Sequence, residues 1–181
     1  MASKKIAVLV GSLRKESWTR KMANALMKIA PQSMEFDLIE IGSLPFYNED
    51  LETAAPPKEW VEFRARVQAC EAVLFCTPEY NRSVPGVLKN AIDVGSRPYG
   101  KSVFDKKPAA VVSVSPGAMG GFGANHHLRQ SLVFLNMPTL QQPEAYVGNA
   151  TKIFEADGSL VEATRTFMEK FMSAFEKWIA Q

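Results

Sequence analysis

The chain has 181 residues, of which 46% are hydrophobic and 22% charged, and its formal net charge at pH 7 is +2. This length is typical of one globular domain, and no apolar run approaches the ~20 residues of a membrane span. Residues 1–30 carry seven lysines and arginines against one glutamate, but no basic stripe follows a long helical pattern. The composition therefore predicts a single cytoplasmic domain, residues 1–181, with neither membrane nor nucleic acid as partner and with a preference for a small anion near its amino-terminal loop.

Strand-like and helix-like segments alternate along the whole chain. Apolar or alternating runs predict five strands, at residues 5–10, 34–41, 72–77, 109–115 and 139–147. Apolar residues at helical spacing predict helices at residues 19–30, 57–70, 85–92, 124–136 and 159–178. Ser159 and Glu162 are expected to form a capping box at the start of the last helix. Six of its residues are expected to face the core: Leu160, Thr164, Phe167, Phe171, Phe175 and Trp178.

This alternation predicts an α/β fold in which a parallel sheet is covered by helices on both faces. Right-handed crossovers leave few arrangements, and five strands favour the doubly wound order 2-1-3-4-5. In such sheets ligands bind outside the carboxyl ends of the strands where the strand order reverses, here between strands 1 and 3. The loops to consider are therefore residues 11–18, 78–84 and 116–123.

The first loop, within "VGSLRKESWTRK", carries hydroxyl groups and cations where an anion would bind. Ser12, Ser17 and Thr19 supply hydroxyls, Arg14 supplies a guanidinium, and the following helix supplies free backbone N–H groups. The loop matches neither GxxxxGK[ST] nor GxGxxG, and its donors suit a terminal monophosphate better than a triphosphate. The alternative is that Ser17 or Thr19 only caps the helix.

The other two loops have compositions that suit a flat ligand. In "TPEYNRSVPG", Tyr80 and Asn81 follow a buried strand, and a tyrosine at this edge can cover a planar ring. The stretch "SPGAMGGFG" has four glycines, which permit close approach of bare backbone to a ligand. The alternatives are an ordinary turn and a flexible connector. Together the three loops indicate a mononucleotide with a wide planar ring, and FMN fits this description best.

Three stretches resemble the NADPH-dependent FMN reductase family, and within it the bacterial chromate and quinone reductases. They are "GSLRKESWTR", "TPEYNRSVPGVLKNAIDVGSRP" and the glycine-rich loop, and the resemblance runs from Lys5 to the final helix. It implies a flavodoxin-like fold with bound FMN, hydride uptake from NADH or NADPH, and two-electron reduction of quinones and other acceptors such as chromate or azo compounds. The cofactor-binding residues implied are Ser12, Arg14, Ser17, Trp18 and Thr19 around the phosphate, Pro78, Glu79, Tyr80 and Asn81 along the ring, and Ser115 and Gly117 opposite them.

The resemblance also implies a homodimer or homotetramer with the flavin near a subunit boundary. The loop from Leu44 to Asp50 and Arg97 are the expected interface residues. Arg82 is interpreted either as a contact for the nicotinamide nucleotide or an anionic acceptor, or as a solvated surface arginine. No metal site is expected, and Cys70 and Cys76 are expected to be buried free thiols.

Because a flavin carries its own redox chemistry, no catalytic acid or base is assigned, and a ping-pong mechanism is the hypothesis. Two other functions compete with this one. A flavodoxin-type electron carrier would use the same fold without its own NAD(P)H oxidation, although such carriers tend to be acidic. A flavin-free phosphate-ester hydrolase would need a nucleophile, and the first loop contains neither cysteine nor aspartate.

Overall fold

The computed structural model describes residues 3–181 and has the alternating architecture that the sequence predicts. The strands are β1 (Lys4–Val10), β2 (Met34–Ile39), β3 (Ala72–Thr77), β4 (Ala109–Val114) and β5 (Ala145–Val147). The helices are α1 (Trp18–Ile29), α2 (Lys58–Gln68), α3 (Gly86–Gly95), α4 (Phe122–Phe134) and α5 (Glu162–Ile179), and short 3₁₀ turns lie at Glu49–Leu51 and Ala150–Lys152. No helix within residues 3–181 is both long and apolar enough to cross a bilayer.

All five strands are parallel and lie in the order β2-β1-β3-β4-β5, which confirms the predicted order. Every residue of β3 and β4 is buried, as expected for the centre of a parallel sheet. The register pairs Val10 with Cys76 and Thr77 with Ser113, so the central strands end side by side. The three loops of interest therefore leave the sheet at the same edge.

Each face of the sheet has its own hydrophobic core, because inward residues alternate along the strands. On one face α1 and α5 pack over Ile6, Val8, Leu74 and Val112. On the other face α2, α3 and α4 pack over Ala7, Leu9, Phe75 and Val111. Helices therefore cover both faces, as predicted.

The predicted capping box at the last helix is wrong. Helix α5 begins at Glu162 after Val161, and no side chain caps it. The Ser159 hydroxyl instead donates a hydrogen bond of 2.6 Å to Asp157, because residues 154 and 160 pair in a short β-bridge that keeps this segment extended. The predicted stripe is also partly wrong: Phe167 is 36% exposed, and Met168 takes the buried position beside it.

Several element boundaries also differ from the predictions: β2 ends at Ile39 and not at residue 41, α3 continues to Gly95, and α4 ends at Phe134. The fifth strand is restricted to Ala145–Val147, and Thr139 makes only an isolated bridge to Ala109. Helix α4 begins at Phe122, two residues before the predicted start, because the glycine-rich loop is more compact than expected. Cys70 and Cys76 are buried free thiols, as predicted.

Candidate functional site

Gly11 marks the end of β1 and the start of the first loop. Its backbone N–H donates a hydrogen bond of 2.8 Å to the Cys76 carbonyl, which continues the sheet by one residue. A β-carbon at this position would lie 3.1 Å from the Leu88 side chain and 3.2 Å from Pro78. The close packing explains the glycine, and it brings the first loop against the start of the second.

Three residues with hydroxyl groups, Ser12, Ser17 and Thr19, are largely buried around the beginning of α1. The Ser17 hydroxyl accepts a hydrogen bond of 3.1 Å from the Arg20 backbone N–H, so Ser17 does cap the helix. Ser12 and Thr19 are 5% and 2% exposed as residues, and neither hydroxyl hydrogen-bonds to another group within residues 3–181. Neither oxygen is a fully buried atom without a partner, because Arg129 Nη2 alone has that status in this part of the chain. Both hydroxyls therefore keep access to the recess and are free to bind a ligand.

The charge around this loop also favours an anion. The first turn of α1 contains no acidic residue, so the positive end of the helix dipole is not neutralised there. Arg20 and Lys21 are paired with Glu40 and Glu16 at 2.7 and 2.9 Å. Arg14 forms no ion pair within the described part of the chain, and its guanidinium is available to a bound anion.

Trp18 is held rigidly beside these hydroxyls. Its ring stacks on Phe154 with centroids 5.7 Å apart and an interplanar angle of 14°. The ammonium nitrogen of Lys21 lies over the Trp18 ring, 4.8 Å from the ring centroid. Trp18 therefore forms a fixed wall of the first loop.

A recess of about 220 Å³ lies where the three loops meet. It is lined by Ser12, Arg14, Ser17, Trp18, Thr19, Pro78, Glu79, Tyr80, Val114, Ser115 and Pro116. Nine of the predicted cofactor-binding residues are thus brought together, whereas Asn81 and Gly117 lie outside this lining. Val114 and Pro116 were not predicted as site residues, because an apolar residue at the end of a strand is equally typical of the hydrophobic core.

A second recess of about 380 Å³ adjoins the first and shares Ser12, Arg14 and Tyr80 with it. Its remaining lining consists of Gly11, Leu13, Pro85, Gly86 and Val87. Sequence reasoning did not assign this second recess, which is mostly apolar and lies between the first loop and the start of α3.

The second loop is a tight hairpin turn. Tyr80 and Ser83 exchange backbone hydrogen bonds of 3.0 and 3.2 Å. Between them Asn81 and Arg82 have φ values of 51° and 63°, the pattern of a type I′ turn. A left-handed arginine costs about 1–2 kcal/mol, so the surrounding packing must hold this turn. It places Tyr80, which is 53% exposed, at the edge of the recess and leaves Arg82 exposed.

The glycines of the third loop have mostly internal roles. A β-carbon at Gly120 would lie 2.5 Å from the backbone of Tyr146, and one at Gly123 would lie 2.7 Å from the Arg82 carbonyl oxygen. A β-carbon at Gly117 would meet only the Ser115 hydroxyl, at 3.6 Å. Of these three glycines, only Gly117 has uncrowded backbone, whereas Gly120 and Gly123 are packed against backbone of the protein.

Glu79 lines the recess, and its carboxylate is also hydrogen-bonded to the start of α4. Its Oε2 accepts a hydrogen bond of 2.9 Å from the backbone N–H of Ala124, in the first turn of α4. The N-cap residue of α4 is Gly121, whose lack of a side chain leaves this turn without a local cap. Glu79 supplies the missing acceptor from another loop. No local sequence signal indicates this contact, because the partners are 45 residues apart.

The two histidines, His126 and His127, point in different directions. His127 Nδ1 lies 3.0 Å from the Ser83 hydroxyl, and His126 Nε2 lies 2.9 Å from the Tyr146 hydroxyl. The pKa of Tyr146 is raised to about 12, mainly by burial and to a smaller extent by a hydrogen bond to Glu144. Residues 3–181 contain no group of three or more side chains arranged to hold a metal ion.

The sheet order and the loops at its carboxyl edge define a flavodoxin-like α/β protein. A flavodoxin variant from Pseudomonas aeruginosa has the same fold, with a TM-score of 0.61 at 15% identity over 95% of this chain and 99% of that chain. The family model for NADPH-dependent FMN reductase matches residues 4–152, and the chain belongs to this family.

Two relatives cover almost the whole molecule. A quinone reductase from Pseudomonas putida is 61% identical over 174 residues, which are 96% of this chain and 94% of the relative. The solved structure of FerB, a flavoenzyme NAD(P)H:(acceptor) oxidoreductase from Paracoccus denitrificans, has a TM-score of 0.92 at 43% identity. The superposition covers 98% of this chain and 97% of the FerB chain.

Proposed function

We propose that this protein is an NAD(P)H-dependent quinone reductase that works with bound FMN. In the overall reaction NAD(P)H gives up a hydride, and the quinone takes up two electrons and two protons to become a quinol. The observation that carries the proposal is the pair of unpaired hydroxyls of Ser12 and Thr19, two largely buried residues that line the recess beside the first turn of α1. The quinone reductase of 61% identity supports the reaction class.

The residues of the first loop fit the terminal phosphate of FMN. A phosphate dianion accepts several hydrogen bonds, and Ser12, Thr19 and the first N–H groups of α1 can donate them. Arg14, in the same loop, can add a bidentate, charge-assisted contact to the phosphate. This set contains no lysine-and-magnesium arrangement of the kind that triphosphates need.

The other two loops fit the ring end of the cofactor. Pro78 and Tyr80 bound one side of the recess, and Ser115 bounds the other. The Ser115 hydroxyl accepts a hydrogen bond of 3.1 Å from Gly117 N–H, which holds the backbone of the third loop in place. These residues position the ligand and exclude water, and FMN, when bound, supplies the two-electron chemistry.

The structure gives little support to a phosphate-ester hydrolase. Both cysteines are buried, and burial raises the pKa of Cys76 to about 12, so this thiol does not ionise near neutral pH. Neither the Ser12 nor the Thr19 hydroxyl is hydrogen-bonded to a histidine or carboxylate within residues 3–181, and the Glu79 carboxylate in the same recess is bonded to Ala124 N–H. The first loop is thus suited to bind a phosphate group and not to attack one.

The deciding experiment starts from the visible spectrum of the purified protein. We expect a flavin spectrum, or its appearance on addition of FMN, followed by anaerobic bleaching with NADH or NADPH and rapid recovery when a quinone is added. Bleaching only in the presence of a partner protein would instead indicate an electron carrier. A protein that stays folded but binds no FMN would contradict the proposal.

We further propose chromate and azo compounds as alternative acceptors, to be compared with quinones in the same anaerobic assay. Oxidation of the reduced protein by a quinone but not by chromate would restrict the proposal to quinones. Parallel assays of Arg82→Ala with NADH and NADPH test the nicotinamide role of this exposed arginine. A higher KM for NADPH would support that role, and unchanged kinetics with both donors would remove it.

We also propose that the functional unit is a homodimer or homotetramer. Three aromatic side chains are largely exposed: Phe46 at 80%, Tyr99 at 86% and Phe134 at 73%. Phe46 lies in the predicted interface loop, and Arg97, Tyr99 and Phe134 line a common recess of about 370 Å³. Light scattering coupled to size-exclusion chromatography gives the mass directly, and a monomer of 20.0 kDa at micromolar concentration would contradict this proposal.

A further inference from the structure

We propose that Glu79 is a positioning residue that joins the second and third loops into one unit and thereby fixes Tyr80 against the cofactor. This inference rests on the proposed function, because it concerns how the FMN recess keeps its shape. Glu79 acts through a hydrogen bond to α4, at 2.9 Å from Ala124 N, and not through a contact of its carboxylate with the flavin ring.

Helix α4 is a firm support for this contact. The side chain of Asn125, which is fully buried, donates hydrogen bonds of 3.2 Å to the Ser113 hydroxyl and 3.4 Å to the Ala145 carbonyl. The first turn of α4 is therefore anchored to β4 and β5 directly beneath the loop. The hydrogen bond to this turn therefore holds the Glu79 carboxylate in place. Because Tyr80 is the next residue along the chain, its position is restricted as well.

The glycines of the third loop support the same reading. A β-carbon at Gly123 would lie 2.9 Å from Glu79 Oε2 and 2.7 Å from the Arg82 carbonyl oxygen. A β-carbon at Gly121 would lie 3.7 Å from Glu79 Cβ, and φ at Gly121 is 74°. Gly123 thus gives the hairpin turn room to lie directly on the start of α4, and this docking explains the glycine there. Gly121 is explained by its left-handed backbone and by the Ser113 side chain, which a β-carbon would approach to 3.0 Å.

A carboxylate is well suited to this position. The first turn of a helix presents unpaired N–H groups and the positive end of its dipole, and no acidic residue of α4 itself occupies that turn. A charged acceptor from the second loop satisfies both needs. It also stabilises a turn whose Asn81 and Arg82 have left-handed backbone conformations.

Glu79→Ala and Glu79→Gln separate the hydrogen bond from the bulk of the side chain. Because glutamine keeps an acceptor oxygen, we expect Glu79→Gln to bind FMN within about threefold of the parent protein, whereas Glu79→Ala should bind at least tenfold more weakly. Affinity is measured by quenching of FMN fluorescence, and the visible bands of the bound flavin report its surroundings. In Gly123→Ala the new methyl group would push the hairpin turn away from α4, so this variant should lose as much FMN affinity as Glu79→Ala. It provides the test if Glu79→Ala folds poorly.

Leu132→Ala is the matched control, because Leu132 is fully buried in the core beneath the second half of α4. It should lower the melting temperature of the apoprotein and leave FMN affinity unchanged. Equal FMN affinity of Glu79→Ala and the parent protein would overturn the inference, as would equal losses in Glu79→Ala and Glu79→Gln or an equal loss in Leu132→Ala. Failure of the parent protein to bind FMN would overturn the proposed function itself.

Discussion

Asn90 Oδ1 accepts a hydrogen bond of 2.8 Å from the backbone N–H of Tyr47, which ties α3 to the loop that follows β2. Its Nδ2 donates to the carbonyls of Leu44 and Pro45 at 3.2 and 3.1 Å. Asn90 is only 7% exposed, so water cannot replace these partners. The asparagine of the "LKNAID" stretch therefore fixes the loop that is predicted to meet a neighbouring subunit.

Asn90→Ala should lower the free energy of unfolding by about 1–3 kcal/mol, because it leaves buried backbone groups without partners. Urea unfolding of the apoprotein, followed by circular dichroism, measures the loss. Asn48→Ala is the control in the same loop: Asn48 is exposed and caps only a short 3₁₀ turn through Asp50. Equal losses in the two variants would contradict the role assigned to Asn90.

Ser12 and Ser17 should respond differently to loss of their hydroxyls. Ser12→Ala should weaken FMN binding by about 10- to 150-fold, since one charge-assisted hydrogen bond of about 1.5–3 kcal/mol disappears, and should leave the apoprotein equally stable. Ser17→Ala also removes the cap on Arg20 N–H, and so should cost about 1 kcal/mol of stability as well. FMN titrations and urea unfolding of both variants test the contrast. A stability loss in Ser12→Ala alone would reverse the assignment.

The ion pair between Arg64 and Glu52 should contribute more than the surface pairs. Both side chains are 14% exposed, two hydrogen bonds of 2.7 and 2.8 Å join them, and Arg64 Nε also donates to the Val94 carbonyl at 2.9 Å. We expect Glu52→Gln to cost about 1–3 kcal/mol, because it leaves a largely buried guanidinium without its counter-charge.

The exposed i,i+4 pair of Lys89 and Asp93 is the control, because solvent screens it. Asp93→Asn should change stability by less than about 0.5 kcal/mol. The difference between Glu52→Gln and Asp93→Asn is measured by urea unfolding at low and high salt. A similar, salt-sensitive loss in both variants would show that the Arg64 pair behaves as a surface pair.

The fold could be predicted from the sequence because its signals are local. The apolar runs that form β3 and β4 occupy the centre of the sheet, and alternation with right-handed crossovers leaves few strand orders, among which five strands favour the one observed. The capping box failed because Asp157 competes locally for Ser159. The roles of Glu79 and Asn90 could not be predicted, since their partners lie more than 40 residues away in the chain.

Cys76 should make the stability of the protein fall at alkaline pH. Burial raises the pKa of this thiol from 9.0 to about 12 in the folded state, although nearby Arg20 partly lowers it. Below pH 9 the Cys76 thiol keeps its proton in both the folded and the unfolded chain, so its ionisation does not lower the free energy of unfolding there. Between pH 9 and about 12 the unfolded chain releases the proton while the folded chain retains it, and the free energy of unfolding decreases.

Cys76→Ala removes the ionisable group and should flatten this decrease, even though the variant is less stable at neutral pH because of the cavity it creates. Val8→Ala opens a cavity in the same sheet without removing an ionisable group, and should keep the slope of the parent protein. Urea unfolding at pH 8 and pH 10.5 measures the two slopes. Tyr146, whose pKa is raised from 10.0 to about 12, contributes in the same direction, so part of the slope should survive in Cys76→Ala. An unchanged slope in Cys76→Ala would mean that the thiol ionises in the folded protein, and that the interior around β3 is less closed than its burial indicates.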